Sequence, residues 1–174
     1  MKQAIIFILG TTFTVLAYGS TITPEIVMAH VDSKGTQSAR EAYFSCWETT
    51  KAEGYKLVEK GSEGWLRIAA LLIKDSDGCY TQGLQTAIAL AQINNTEKVL
   101  DLVDSEKKLG AAYICIPFMA DEVDPVKLRA QLKTLNRLES ALKRVKAPRL
   151  KERKSKCLAY VQSSKKYIRE LISP

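Results

Sequence analysis

Histidine is almost absent from this chain: His30 is the only one in 174 residues. A serine or cysteine nucleophile is ordinarily activated by a histidine base, so triad chemistry has one candidate base, near the amino end. The same scarcity argues against a secreted phospholipase in which histidine activates water. The four cysteines, Cys46, Cys79, Cys115 and Cys157, contain no C-x-x-C pair. Zinc ligands come in closely spaced pairs, so wide spacing beside a lone histidine points away from metal. Neither a metal nor another cofactor is expected, and no catalytic residue is assigned. Long apolar runs are missing beyond the first 17 residues, so no later segment predicts a membrane span.

What is present begins with the leader. Met1-Lys2-Gln3 is followed by an uncharged, largely apolar run from Ala4 to Ala17, then Tyr18, Gly19 and Ser20. A positive start, a short apolar stretch and small residues at Ala17 and Gly19 are the signature of a cleaved secretory signal. The run contains Gly10 and three threonines and falls short of the roughly 18 residues that a span requires. The expectation is an exported chain, periplasmic or extracellular, with residues 1–19 removed near Gly19/Ser20. No cysteine stands at the cut, which argues against a lipoprotein. In such a compartment an even number of cysteines predicts disulfides.

The remainder, 46% apolar over the whole chain, has the length of one domain with a proper core. Residues 20–37 lack clear periodicity and predict an amino-terminal arm or linker with Ile26-Val27-Met28 tucked against the domain; 38–174 predict a single helical domain. Ser38-Ala39-Arg40-Glu41 has the form of a capping box opening a helix through Ala42, Tyr43, Cys46, Trp47, Leu57 and Val58. Gly54 weakens that helix and Gly61 ends it. A second begins near Ser62 and buries Trp65, Ile68, Ala69, Leu72 and Ile73. A third, about 80–93, buries Leu84, Ala87, Ile88 and Ala91. Thr96 caps a fourth that buries Val99, Leu100 and Val103. The apolar run 111–119 predicts a buried helical turn.

Asp124 and Pro125 open the clearest helix, with a stripe of Leu128, Leu132, Leu135, Leu138, Leu142 and Val145. The last, from about Leu150 to Ile172, turns Cys157, Leu158, Val161, Ile168 and Leu171 inward. Short connections make such helices antiparallel neighbours. The expected fold is all-α: a small bundle or short array of antiparallel helical hairpins, about five to six helices, stapled by disulfides.

Of three connectivities, Cys46–Cys79 and Cys115–Cys157 are preferred because they join sequence neighbours. Helix lengths alone place Cys157 about 15 Å into the return of the last hairpin. Only side-by-side packing of 111–119 along that hairpin brings Cys115 to it.

Other constellations are weak. Asp75-Ser76-Asp77-Gly78 begins like a calcium loop, but Cys79, Tyr80 and Thr86 stand where an EF-hand needs a ligand, Gly and Glu; it is a helix-linking turn. Asn94-Asn95-Thr96 has the form of a glycosylation acceptor. In bulk properties the chain is similar to lysozyme-type glycosidases. That resemblance implies a carboxylic acid in an apolar pocket, for which Glu41, Glu48 and Glu63 are the candidates, without the motif surroundings of those families.

The informative feature is charge. Residues 126–174 hold 15 Lys and Arg against three acids, a net of +12. Residues 20–125 hold 10 basic residues against 16 acids, a net of −6. The cations either coat solvated helix faces and pair with the acidic half, or form a patch of Arg144, Lys146, Arg149, Lys151, Arg153, Lys154 and Lys156 for an anionic partner. In an exported protein that partner is an acidic protein, anionic lipid or an anionic wall polymer; nucleic acid, the default in the cytoplasm, is set aside by export. In size and design the chain is similar to small exported bacterial helical proteins, including inhibitors and immunity proteins. The function expected is therefore non-catalytic binding by protein–protein contact. A carboxylate-based cell-wall or lipid hydrolase and an anionic-lipid-binding envelope protein are the alternatives.

Overall fold

Helical periodicity carried through almost every segment becomes helix in the computed structural model, which describes residues 22–46, 52–117 and 124–172. The leader 1–19 and its cut lie outside them. Among the described residues there are eight α-helices and no strand: α1 Pro24–Tyr43, α2 Glu53–Glu59, α3 Glu63–Leu72, α4 Gly78–Ala91, α5 Thr96–Leu102, α6 Ala111–Ile114, α7 Pro125–Arg144 and α8 Lys151–Ile172. Short 3-10 turns at Lys107–Leu109 and Pro148–Leu150 lead into α6 and α8.

The amino-terminal third differs from expectation. Residues 24–34 are not an irregular arm, and the first helix does not open at Ser38. Thr23 accepts from the Ile26 amide and Pro24 starts α1. Gly35, at φ 84°, interrupts it with a kink, a left-handed conformation that glycine adopts without steric cost. Val27 is fully buried in the same apolar cluster that runs on to Ile168. Ser38 does not cap; its hydroxyl meets His30 instead. The helix expected to continue through Cys46 ends at Tyr43, and a separate α2 carries Leu57 and Val58 inward.

Elsewhere the local signals hold at the start of α7 and differ at α5 and at the end of α8. Asp124 accepts from the Val126 amide at 2.8 Å ahead of Pro125. Asn95 rather than Thr96 caps α5, taking the Lys98 amide at 3.5 Å. Leu171 faces outward, 37% exposed, whereas Cys157, Val161 and Ile168 are buried.

The architecture centres on α4, whose Leu84 and Ile88 are wholly buried and which touches α2, α3, α5 and α6. α1 lies on α3, and α7 packs along α8 as the closing hairpin. α6 lies between α4 and α8, the side-by-side packing that brings Cys115 to Cys157, with Cα atoms 4.9 Å apart. Cys46 and Cys79, with Cα atoms 6.1 Å apart, bridge the end of α1 to the start of α4. These are the two pairs preferred from chain order, and no described cysteine is free.

Candidate functional site

Cations do much of the structural work, mostly at helix ends. The last carbonyls of a helix lack internal partners and form the negative end of its dipole. Buried Arg40 of α1 donates to the Leu72 carbonyl at 2.9 Å and the Asp75 carbonyl at 3.3 Å, closing α3. Lys108 Nζ donates to the Lys74 carbonyl at 3.0 Å and also to that of Ser76. Two carbonyls of the turn that resembled a calcium loop, those of Asp75 and Ser76, are therefore taken by Arg40 and Lys108, and that of Asp77 accepts from the Thr81 amide. Among the described residues no group of His, Cys, Asp and Glu is arranged to hold a metal ion.

The patch read from residues 144–156 divides in the same way. Arg149 grips both carboxylate oxygens of Asp101 on α5, with Nη2 to Oδ2 at 3.2 Å. Arg153 Nη1 donates to the carbonyls of Leu100 (3.4 Å) and Asp101 (3.3 Å), at the end of α5. Lys154 Nζ takes the Val145 carbonyl at 2.7 Å and that of Lys143 at 3.3 Å, capping α7. Lys156 pairs with Asp104 at 3.0 Å and Glu152 at 3.1 Å. These contacts hold the Asp104 carboxyl below its ordinary range, chiefly through the Lys156 hydrogen bond. They likewise raise Arg149 through Asp101 and Lys156 through Asp104. Four of the seven cations thus tie the α7–α8 hairpin to itself and to α5.

Arg144, Lys146 and Lys151 are exposed and form no hydrogen bond or ion pair among the described residues. Two cations not singled out in the sequence join them. Lys133 and Arg137 are exposed, equally without partners, and lie with Arg144 along one side of α7. The available sequence signal was their i, i+4, i+11 spacing, which places all three on one helical face.

The candidate carboxylates are placed otherwise than an acid catalyst needs. Glu41 is exposed and accepts from Gln37 at 3.0 Å. Glu63 is exposed and bonded to Lys98 at 2.9 Å, which lowers its pKa, the opposite of the raised value a general acid requires. Glu48 lies outside the described residues. Burial raises Glu59, against the opposing pull of Lys56; the groove it lines holds Lys56, Lys60 and Arg137 and no second carboxylate.

His30 Nε2 lies 2.9 Å from Ser38 Oγ and Nδ1 3.2 Å from the Tyr43 hydroxyl, and its ring meets Tyr43 edge-on. That is the reach of a base and a nucleophile, with a phenol where an orienting carboxylate would stand. All three residues belong to α1 and straddle Gly35, so the cluster fastens the two halves of the kinked helix. Among the described residues no helix is long and apolar enough to cross a membrane.

Comparison of the chain with protein-family models, curated proteins and solved structures finds no match.

Proposed function

We propose that this chain is exported and acts by binding an acidic surface of another protein, in the manner of an inhibitor or accessory factor, without catalysis of its own. The leader-like residues 1–19 and the two disulfides support the address. One observation carries the binding reading. Asp101, Asp104 and the helix ends engage the neighbouring cations, yet Arg144, Lys146 and Lys151 stay exposed and unpaired, as do Lys133 and Arg137, which line one groove with Arg144. Unpaired surface cations raise encounter rates with acidic partners and disfavour basic ones.

Two measurements test this. Mass spectrometry of native protein should find the chain starting near Ser20 with all four thiols oxidised; an intact leader with free thiols would overturn the address. Affinity capture from envelope extract should recover a complex that weakens steeply as salt rises, because exposed charges are screened over about 10 Å at 0.1 M. A complex indifferent to salt, or turnover of peptidoglycan or phospholipid by the pure protein, would overturn the binding reading.

A further inference from the structure

Some of the unpaired cations converge on a surface that does not include Lys146 and Lys151 of the hairpin turn. A groove of about 460 Å³ runs along α7, lined by Lys133, Asn136, Arg137, Ser140 and Arg144 with Ile93 from the α4–α5 turn. A second, of about 290 Å³, is lined by Lys56, Glu59 and Lys60 of α2, by Leu90, Ile93 and Asn94, and again by Arg137. Sharing Ile93 and Arg137, the two form one trough between α7, the end of α4 and α2. Lys56 and Lys60 are exposed and make no ion pair or hydrogen bond among the described residues. The trough thus gathers five cations, of which Lys56 also attracts Glu59, around a half-buried floor of Leu90 and Ile93. Ser140 Oγ is engaged by the Asn136 carbonyl; the Asn136 side-chain amide, with no partner among the described residues, is left to donate and accept.

We propose that this trough docks an acidic peptide segment of the partner, carboxylates over Lys133, Arg137 and Arg144 and an apolar side chain against Ile93. The inference rests on the reading of the chain as a binder of acidic protein surfaces and gives that reading a location and a ligand chemistry. Along α7 the three cations are about 6 Å and 10 Å apart at 1.5 Å per residue, a reach that a helical or extended segment matches. The apolar floor selects a ligand with apolar side chains, which polyphosphate and anionic polysaccharide lack. Glu59 repels a uniform polyanion but accepts from the amides of a peptide. Neither lining contains an aromatic ring on which a nucleic-acid base would stack. The apolar stripe of α7, from Leu128 to Leu142, faces the core and leaves little there to insert into a bilayer.

The test is fluorescence anisotropy on disulfide-intact protein with a labelled peptide of about 14 residues, enough to span the trough as a helix. It carries Glu at i, i+4 and i+11 and Leu between them. The same peptide with Gln for Glu, inorganic polyphosphate and phosphatidylglycerol vesicles are the comparison probes. Binding of the acidic peptide should weaken at least about tenfold in K133E/R137E, little in K146E/K151E, and vanish with the Gln peptide. Both variants replace exposed side chains without partners, so circular dichroism should show an unchanged fold. Loss in the turn variant instead of the groove variant would overturn the location and leave the broader binding function standing. Groove-dependent binding of polyphosphate or vesicles without the peptide would overturn the ligand class. Failure of every probe to bind would overturn the trough as an anion site, while salt-sensitive capture of a native partner by K133E/R137E would still uphold the proposed function.

Discussion

Gly54 shows how sequence and structure can assign opposite signs to one substitution. By helix propensity, Gly54→Ala should stabilise α2 by up to about 1 kcal/mol. In the fold, a Cβ at position 54 would stand 2.5 Å from the Tyr43 carbonyl oxygen and 2.7 Å from the Phe44 ring. Phe44 is wholly buried, and a main-chain oxygen cannot rotate aside. The variant should therefore lose about 1–3 kcal/mol, the usual cost of overpacking, by urea unfolding; a gain in stability would show that the end of α1 yields. Propensity is a property of one residue and was legible from the chain. Close approach is a property of two segments and was not. The hydroxyl of Tyr55, pushed up to about 12 chiefly by burial, belongs to the same crowded contact, since its ring meets Phe44 edge-on.

At the scale of elements, α7 and α8 are clasped by Glu139, which accepts from Lys143 one turn on and from Lys165 across the hairpin. Those two hydrogen bonds, Lys143 first, bring its pKa down to about 2 from the ordinary 4.5. A depressed carboxyl stabilises the fold above its unfolded pKa and loses that contribution as pH falls through the folded value. Glu139→Gln should therefore melt below the wild type at pH 7. The gap should close as pH drops from about 4.5 toward 2; a gap constant over that range would contradict the clasp. The α7 start was legible because Asp124 and Pro125 act within one turn of themselves. The amino-terminal half of α1 was legible only as an apolar contact: Ile26-Val27-Met28 is a contiguous run without period, so neither the helix nor the choice of Val27 over Ile26 for the core could be read from it. The same locality explains the charge patch. Asp101 and Asp104 lie about fifty residues before Arg149 and Lys156 in the chain, so counting charge along it could not reveal that they are partners.

Over the whole molecule, two staples hold bodies that small helices hold weakly. Each closes a loop of 33 or 42 residues, worth about 4 kcal/mol in the chain-entropy model, a large share of a domain's usual stability. They differ in access. Cys115 and Cys157 are fully buried, whereas Cys46 and Cys79 are partly exposed. Thiol exchange requires that the attacking thiolate reach the sulfur. Mild reductant under native conditions should therefore open Cys46–Cys79 first, with Cys115–Cys157 yielding only with unfolding, as alkylation and peptide mapping would record. Simultaneous loss of both would mean that opening the first bridge unfolds the whole chain.

The excess positive charge is likewise divided. Arg149, Arg153, Lys154 and Lys156 hold the closing hairpin in place; Lys133, Arg137 and Arg144 are left to the outside. Thermal unfolding of two double charge reversals, R149E/R153E and K133E/R137E, compared side by side tests that division most directly. The first should melt well below the wild type, because it sets two anions against Asp101 and the end of α5. The second should melt at or above it, since it relieves repulsion between like charges. Equal destabilisation by both, or a loss confined to K133E/R137E, would contradict the account.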